Sequence, residues 1–512
     1  MSTSAQPMEA TPTTSTEAME AIIPSPAART QHPTSKECLI SPTHPPASKP
    51  VPANFVVHTE STTSILFAAP QTTGPAPVFL NPVQEYNRDL SIVAIRTWSE
   101  QRQKDKAAAW EKSVRKKEAS AKAKAKGKRK SEEIKAEGAK KLKGEEGEPV
   151  KVQGGEDKVA ELVPVEAEVP ETPRVLTPPQ FKFTTLEALS ATGLRAIRYA
   201  KEIPLLRYVV ANDLSPSAVE DIRRNIDFND LAPIGPPTPS DDSTAVPLTK
   251  SQLEEAKLGK VRVNAGDACV YMYNHRTDSA RFDCVDLDPY GSAVPFLDAA
   301  IGSVSDGGLL CVTCTDAAVL AGHNYPEKAY THYGGVCVNA EYSHEVGIRL
   351  ILNSIATTAA RYGRSIEPLL SLSIDFYMRV FVRITTSPKE VKRLPSKTSL
   401  LYYCHDCQMP WMQPMGRQVE KKNAKTGDVQ YSYHSPSGPP PGAGDRCGEC
   451  GGKYHIGGPM WGAPIHDQEF VGEMLELVES NQNAFGTSTR IIGMLTVAKA
   501  VCPSSLLFRH SR

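Results

Sequence analysis

The sharpest chemistry in this chain of 512 residues sits in six consecutive residues, Asp286-Leu287-Asp288-Pro289-Tyr290-Gly291. An aromatic amine is a poor nucleophile because its nitrogen lone pair is delocalised into the ring. An enzyme that alkylates such an amine must draw the pair back onto nitrogen. Asp288 can accept one amine hydrogen, and the carbonyl of Pro289, a residue with no N–H of its own, can accept the other. With both hydrogens held, the nitrogen pyramidalises toward a methyl donor. Tyr290 can stack on the base that carries the amine, once that base is extruded from its helix. The same residues also make an ordinary turn at a strand end, so the place of the motif in the fold decides between the two.

A second constellation is Cys404-His-Asp-Cys407 with Cys447-Gly-Glu-Cys450, two Cys-x-x-Cys knuckles separated by a Pro/Gly-rich loop. Four thiolates at this spacing make a closed, tetrahedral structural zinc site. The long gap between them is tolerable because loop-closure entropy grows slowly with length. His405 and His455 are alternative ligands nearby. With 11 cysteines and no signal peptide, the chain is expected in a reducing compartment, where clustered thiols serve metal binding or catalysis more than disulfides. Cys311-Val-Thr-Cys314 falls within a strand, where alternation puts the two thiols on opposite faces as core packing.

These groups need elements to hold them. The segment from Leu186 reads as a strand, a tight turn through Ala191-Thr192-Gly193, and a helix. Leu206 to Ala211 is a strand ending in Asn212-Asp213. Ser215-Pro216 then caps and opens a helix whose Ala218, Val219, Ile222 and Ile226 recur at helical spacing. Val261-Arg-Val-Asn precedes Gly266-Asp267-Ala268. Further strands are predicted over Phe282–Leu287 and Leu309–Thr315, with a helix over Val294–Val304 and a Ser305-Asp-Gly-Gly turn between. Asn339–Tyr362 reads as a helix, Leu369–Ile384 as a pair of strands, and Glu469–Val478 as another helix. Alternation of this kind predicts an α/β fold, a doubly wound and mainly parallel sheet with ligands beyond the carboxyl ends of its strands. Asp213 is then placed to accept two hydrogen bonds from vicinal ribose hydroxyls, and Asp267 with the Ala268 amide to orient an adenine. Either acid can equally be a cap or turn former. Arg88 and Arg195 carry the forked guanidinium suited to a carboxylate, or they make structural ion pairs.

Four separated segments, in order, carry a resemblance: Asn81-Pro-Val-Gln-Glu-Tyr-Asn-Arg-Asp-Leu-Ser, Ala191-Thr-Gly-Leu-Arg-Ala-Ile-Arg-Tyr, Asp286-Leu-Asp-Pro-Tyr-Gly and Gly457-Gly-Pro-Met-Trp. Together they resemble the tRNA (guanine(26)-N(2))-dimethyltransferases over about residues 55–100 and 181–495. The resemblance implies a Rossmann-like class I methyltransferase domain followed by a smaller C-terminal domain. It implies transfer of two methyl groups from S-adenosylmethionine to the exocyclic amine of guanine 26 in tRNA. It also implies cofactor contacts from Arg88, Arg195, Asp213, Asp267 and Ala268, with Asp288, Pro289 and Tyr290 in the catalytic motif. Tyr290 stands where many relatives carry Phe, which preserves stacking. Two other readings differ in class: an amino methyltransferase for another RNA base, and a truncated, catalytically weak tRNA-binding or folding factor that keeps the zinc module.

The rest of the chain frames these parts. Residues 1–50, rich in Ser, Thr, Pro and Ala, read as a disordered tail, and 51–102 as the N-terminal segment of the methyltransferase domain. Residues 103–180 read as a charged, low-complexity insertion. Formal net charge is zero, yet here Lys122, Lys124, Lys126 and Lys128-Arg129-Lys130 precede Glu145, Glu146, Glu148, Glu156, Asp157, Glu161, Glu166 and Glu168. The basic run suits nuclear import or phosphate contacts, or a solvated linker neutralised by its own acidic half. The methyltransferase domain is expected over 181–395 and a zinc-binding C-terminal domain over 396–512. The residues after Ala500 resemble nothing in the family, so that domain reads as truncated. No apolar run approaches the roughly 20 residues needed to span a bilayer. The expected setting is a monomer in the nucleus, with the mitochondrion as a second location.

Overall fold

The computed structural model describes residues 49–69, 82–141, 178–233, 258–322, 324–423, 427–436, 438, 444 and 446–500. The tail, the acidic half of the insertion and the segment after Ala500 lie outside the described residues. The strands are β1 (Phe55–Glu60), β2 (Thr63–Ala68), β3 (Phe183–Glu187), β4 (Leu206–Asp213), β5 (Val261–Ala265), β6 (Phe282–Leu287), β7 (Val304–Cys314), β8 (Arg364–Ile374), β9 (Tyr377–Thr386), β10 (Thr398–Cys404), β11 (Pro410–Pro414), β12 (Arg417–Lys422), β13 (Val429–His434) and β14 (Tyr454–Trp461). The helices that cover them are α1 (Glu85–Lys141), α2 (Leu194–Glu202), α3 (Pro216–Phe228), α4 (Ala268–Asn274), α5 (Val294–Ser303), α6 (Ser343–Ala360), α7 (Gln468–Ser480) and α8 (Ser488–Ala500).

Seven strands form the central sheet in the order β5-β4-β3-β6-β7-β9-β8. β3 pairs in parallel with β4 and β6, β4 with β5, and β6 with β7. β9 runs antiparallel between β7 and β8. This is the doubly wound, Rossmann-like sheet that the alternation predicts, with one reversed strand contributed by the β8–β9 hairpin. Successive residues of β7 serve opposite layers, as the pleat requires. Leu310, Val312 and Cys314 enter one core with Leu287, Leu297 and Ile351, while Leu309 and Cys311 enter the other with Ile197, Ile222 and Trp98. Cys311 and Cys314 therefore do lie on opposite faces, both buried.

Three features differ from the sequence reading. The Ser305–Gly308 turn is a bulge inside β7: Phe282 pairs with Val304 and Cys284 with Leu309, so the intervening residues loop out, with Gly307 at φ +69°. The boundary at residues 102/103 is one of burial and not of backbone. α1 is buried from Tyr86 through Ser99, is half-buried to exposed over residues 100–117 and continues as helix to Lys141, a length of about 85 Å at ~1.5 Å per residue. The composition of this stretch, rich in the strong helix formers Ala, Lys and Glu, favours the helix by itself. Nor does the backbone separate a C-terminal domain at residue 395. Leu401, Tyr403, Met460 and Trp461 of β10 and β14 belong to the same core as β6 and α6. Phe470, Val471 and Met474 of α7 and Ile491 and Leu495 of α8 belong to the core that holds α1 and β3. The apolar faces of these helices are satisfied by the sheet itself.

Candidate active site and metal centre

Beyond the carboxyl ends of β3, β4, β6 and β7 opens a cavity of about 370 Å3, within the size range of cofactor sites, lined among others by Arg88, Glu187, Ser190, Arg195, Asp213, Asp288, Pro289, Tyr290 and Thr315. Its floor is the turn after β3. Ala191 and Gly193 both hold positive φ, +49° and +79°, and a Cβ on Gly193 would lie 3.1 Å from the Ile222 side chain. Glycine is thus required there by conformation and by the approach of α3. Asp213 braces this floor: its carboxylate accepts the N–H of Ala191 at 2.8 Å and of Ser215 at 2.9 Å. A carboxylate has about four lone-pair sites, so both oxygens can still accept from a ligand's hydroxyls.

The Asp-Pro-Tyr-Gly loop is held from the neighbouring strand. The Gly291 N–H donates to Thr315 Oγ1 at 2.6 Å, and the Thr315 N–H returns to the Gly291 carbonyl at 2.9 Å. Pro289 is buried and Tyr290 is 88% exposed, so the ring has an open face. Asp288 pairs with the guanidinium of Arg195. Arg195 is itself buried, with Asp286 Oδ2 at 3.6 Å and Glu187 Oε1 at 3.6 Å. Below them Asp286 accepts from Arg379 at 2.7 Å and from the Tyr199 hydroxyl at 2.6 Å. Burial pushes the Asp286 carboxyl up, but Arg379 and Arg195 more than offset it and hold it below the ordinary range. Glu187 goes the other way: burial outweighs Arg195 and Ser190 and raises its pKa to about 8.

The Asn-Arg-Asp segment at the start of α1 works mainly as a brace. Asn87 Oδ1 lies 3.4 Å from Arg195 Nη1, and its amide donates to Gln84 at 2.9 Å. The Arg88 guanidinium grips Glu60 of β1, with Nε to Oε2 at 2.7 Å, so the fork expected to hold a ligand carboxylate is engaged, although Arg88 still lines the cavity. Asp89 takes Arg198 at 2.6 Å and the Thr487 hydroxyl at 2.7 Å, tying α1 to α2 and to the start of α8. The structure thus gathers Arg88, Arg195, Asp213, Asp288, Pro289 and Tyr290 around one space. Asp267 and Ala268 are not among its lining residues. Asp267 caps α4 by accepting the Val270 N–H at 2.8 Å, and the adjacent Gly266 N–H donates to the Asp213 carbonyl at 3.0 Å. Glu187 and Thr315 were not singled out from sequence; their signal was position alone, at or just after the ends of β3 and β7.

The four cysteines also converge. The sulfurs of Cys404, Cys407, Cys447 and Cys450 all lie within 4.8 Å of one another, with Cys404–Cys450 at 3.4 Å and Cys407–Cys447 at 3.6 Å. A tetrahedral S4 site with metal–sulfur bonds of ~2.3 Å has sulfurs about 3.8 Å apart, so the thiols already bracket that geometry. Each knuckle is a tight turn through a left-handed residue, Gln408 at φ +62° and Gly451 at φ +76°. A Cβ on Gly452 would lie 2.9 Å from Cys404 Sγ. His405 and His455 sit beside each other, ring centres 5.4 Å apart, outside the group of four.

A profile described as TRM, N2,N2-dimethylguanosine tRNA methyltransferase, matches residues 56–511. The match continues past Ala500, where the sequence reading ended the resemblance. The chain is 40% identical to the tRNA (guanine(26)-N(2))-dimethyltransferase of Schizosaccharomyces pombe, over 84% of this chain and 68% of that protein. It is 39% identical to the mitochondrial enzyme of that name in Saccharomyces cerevisiae, over 87% and 68%. To the Homo sapiens protein it is 37% identical, over 84% of this chain and 57% of that one. In fold it is similar to Trm1 of Pyrococcus horikoshii solved with S-adenosyl-L-methionine, with a TM-score of 0.52, 23% identity and 87% and 82% of the two chains covered. The profile match and the relatives together place the chain: it belongs to the N2,N2-dimethylguanosine tRNA methyltransferase family.

Proposed function

We propose that this protein is a tRNA (guanine(26)-N(2))-dimethyltransferase that uses S-adenosylmethionine and carries a structural zinc ion. The observation that carries the reading is the convergence of two parts on one cavity: the cofactor-type floor after β3 with Asp213, and the Asp288-Pro289-Tyr290 loop after β6. The cavity suits a cationic donor, because it contains a buried acid, Glu187, whose pKa burial raises to about 8 even with Arg195 3.6 Å away, so that a further positive charge beside it favours its ionised form. S-adenosylmethionine supplies an electrophilic methyl group on a sulfonium centre.

The chain's own residues do the rest. Asp213 accepts the ribose hydroxyls, and Asp267 and Ala268, one strand further along, receive the adenine edge. Arg195 keeps Asp288 aimed into the cavity, and Arg88 fixes the wall through Glu60. One Asp288 oxygen and the Pro289 carbonyl accept the two amine hydrogens of guanine, which localises the lone pair. Asp288 would then receive the proton that nitrogen gives up as its new bond to the methyl carbon replaces the carbon–sulfur bond and the donor leaves as a neutral thioether. The Tyr290 ring, open to solvent, stacks on the extruded base. After one methylation a single N–H remains, enough for Asp288 to repeat the step.

Cys404, Cys407, Cys447 and Cys450 hold the zinc in a closed site with no open position for substrate, so the ion orders the β10–β14 connection and takes no part in methyl transfer. The Lys-rich part of α1 supports a nuclear location, and the similarity to the mitochondrial enzyme of Saccharomyces cerevisiae supports a mitochondrial one. Among the described residues no helix is long and apolar enough to cross a membrane, and the chain is proposed to act as a monomer. The test is mass spectrometry of tRNA nucleosides from a strain lacking this modification. Expression of the chain should restore dimethylguanosine in tRNA, and a strain that still lacks both methylated forms contradicts the proposal.

A further inference from the structure

At the opposite end of the sheet, Arg276, Arg281 and Arg364 converge on a second cavity, of about 550 Å3. β6, β7 and β8 run in the same direction. The end where Ser305 and Arg364 open their strands is therefore remote from the end where Asp288 and Thr315 follow theirs.

Arg364 is 3% exposed. Its Nη1 donates to the Ile301 carbonyl and its Nη2 to the carbonyls of Val304 at 2.8 Å and Ser305 at 3.1 Å. Among the described residues its Nε has no hydrogen-bond partner. Among the described residues no carboxylate lies within ion-pair reach of it. Burial, with Arg281 nearby, pushes its pKa down to about 10, the mark of a cation short of counter-charge. Arg276 lies on the bare backbone of Gly302, its Nε 3.1 Å from where a Cβ would stand. Its guanidinium is 5.4 Å and 5.3 Å from the ring centres of Tyr273 and Tyr362.

The acids of this region are already committed. Asp278, exposed, pairs with Arg281 at 2.6 Å. Asp306 accepts the Thr386 N–H. Asp298 accepts the phenols of Tyr273 at 3.0 Å and Tyr362 at 2.8 Å. Asp278 and Asp306 also line the cavity, but among the described residues neither makes an ion pair with Arg276 or Arg364, and the arginine fork is matched to phosphate geometry.

We infer that this cavity is a phosphate-binding site and that it takes a backbone phosphate of the RNA. The source is argued from what adjoins it. Arg102 of α1 reaches the rim, its Nη2 on the Asp306 carbonyl. From there α1 carries the exposed Lys112, Arg115, Lys116 and Lys117 outward. A phosphate pocket continuous with a basic helix suits an extended polyanion, whose binding releases counterions at each neutralised phosphate. The choice of RNA rests on the proposed function; the anion site itself does not.

The experiment uses the full chain and two double variants, R276A/R281A and R276K/R281K. Equilibrium dialysis with inorganic phosphate reads the pocket directly. Filter binding of tRNA over a salt series reads the number of phosphates neutralised, and thermal unfolding confirms that each variant is folded. Should R276A/R281A unfold, R276Q alone, at an exposed position, takes its place. Wild type should bind phosphate saturably in the millimolar range. R276A/R281A should weaken that binding at least about 10-fold and flatten the salt slope of tRNA binding by about 1 to 2, with the lysine variant keeping most of both. Loss of phosphate binding with an unchanged tRNA slope overturns the RNA source and assigns the site to a free phosphorylated molecule. Absence of phosphate binding by wild type, or equal binding by R276A/R281A, overturns the site. A chain inactive in methyl transfer that still binds phosphate refutes the proposed function and leaves the pocket standing.

Discussion

The candidate active site and the four-cysteine cluster are both gatherings of chemically active side chains, but they are held in opposite ways. Around the first, the supporting charges are buried and cross-linked to one another. Asp286, Arg379, Arg198 and Asp89 are each essentially inaccessible to solvent and each paired. Around the second, Cys404 and Cys447 are buried but Cys407 and Cys450 are exposed, and the β12–β13 hairpin between the knuckles is largely exposed and, among the described residues, forms a two-stranded sheet of its own. The active-site frame is therefore built by folding, whereas the cysteine cluster is expected to depend on the proposed zinc ion. The cofactor cavity should outlast loss of the ion, and the connection between β10 and β14 should not.

The largest effect that sharpens this contrast comes from the buried frame. Arg379→Met leaves Asp286 without its main partner, and breaking a buried pair from one side costs about 3–5 kcal/mol. Denaturant unfolding should show a loss of that order; a change under ~1 kcal/mol would mean that the frame is not held by these pairs. Removal of metal by a chelator, or Cys447→Ser, should come next. Limited proteolysis should accelerate within residues 405–453 while the dissociation constant for S-adenosylmethionine moves less than about 3-fold. Cofactor binding lost together with the metal would erase the distinction between the two regions.

Smaller effects test the mouth of the site. Tyr290→Ala should slow methyl transfer by about 10-fold, since stacking on a base is worth ~1–3 kcal/mol, and Tyr290→Phe should restore it. A further effect is a pH dependence from Glu187. Its pKa rises on folding, from an ordinary 4.5 to about 8. The native state therefore favours the protonated form, and the stability this contributes is complete below about pH 4.5 and lost as pH climbs through about 8. Glu187→Gln cannot ionise, so its stability relative to wild type should improve from pH 5 to 9. A flat difference over that range would show that Glu187 is already charged in the free protein.

How far the sequence reveals this molecule depends on the distance over which each signal acts. The helix from Pro216 and the strand Phe282–Leu287 were legible because a cap, a proline and an apolar run are local. The Asp288 motif was legible because its residues are adjacent, and the cysteine knuckles because metal ligands come in fixed pairs. For Arg88 both a ligand contact and a structural ion pair were open, and the partner it grips, Glu60, lies 28 positions earlier in a hairpin that no periodicity announced. The Ser305–Gly308 bulge was read as a turn because glycine marks both and only strand pairing separates them. The Arg364 pocket left no trace in the sequence, since its three arginines follow α4, open β6 and open β8.

The central claim is that Asp288 and the Pro289 carbonyl grip the amine while the cofactor is bound elsewhere in the same cavity. Single-turnover methyl transfer to tRNA by Asp288→Ala tests it most directly, with cofactor affinity measured on the same sample. The account predicts a rate at least about 100-fold below wild type, with cofactor affinity changed less than about 5-fold. An undiminished rate, or a rate lost only in step with cofactor affinity, would contradict it.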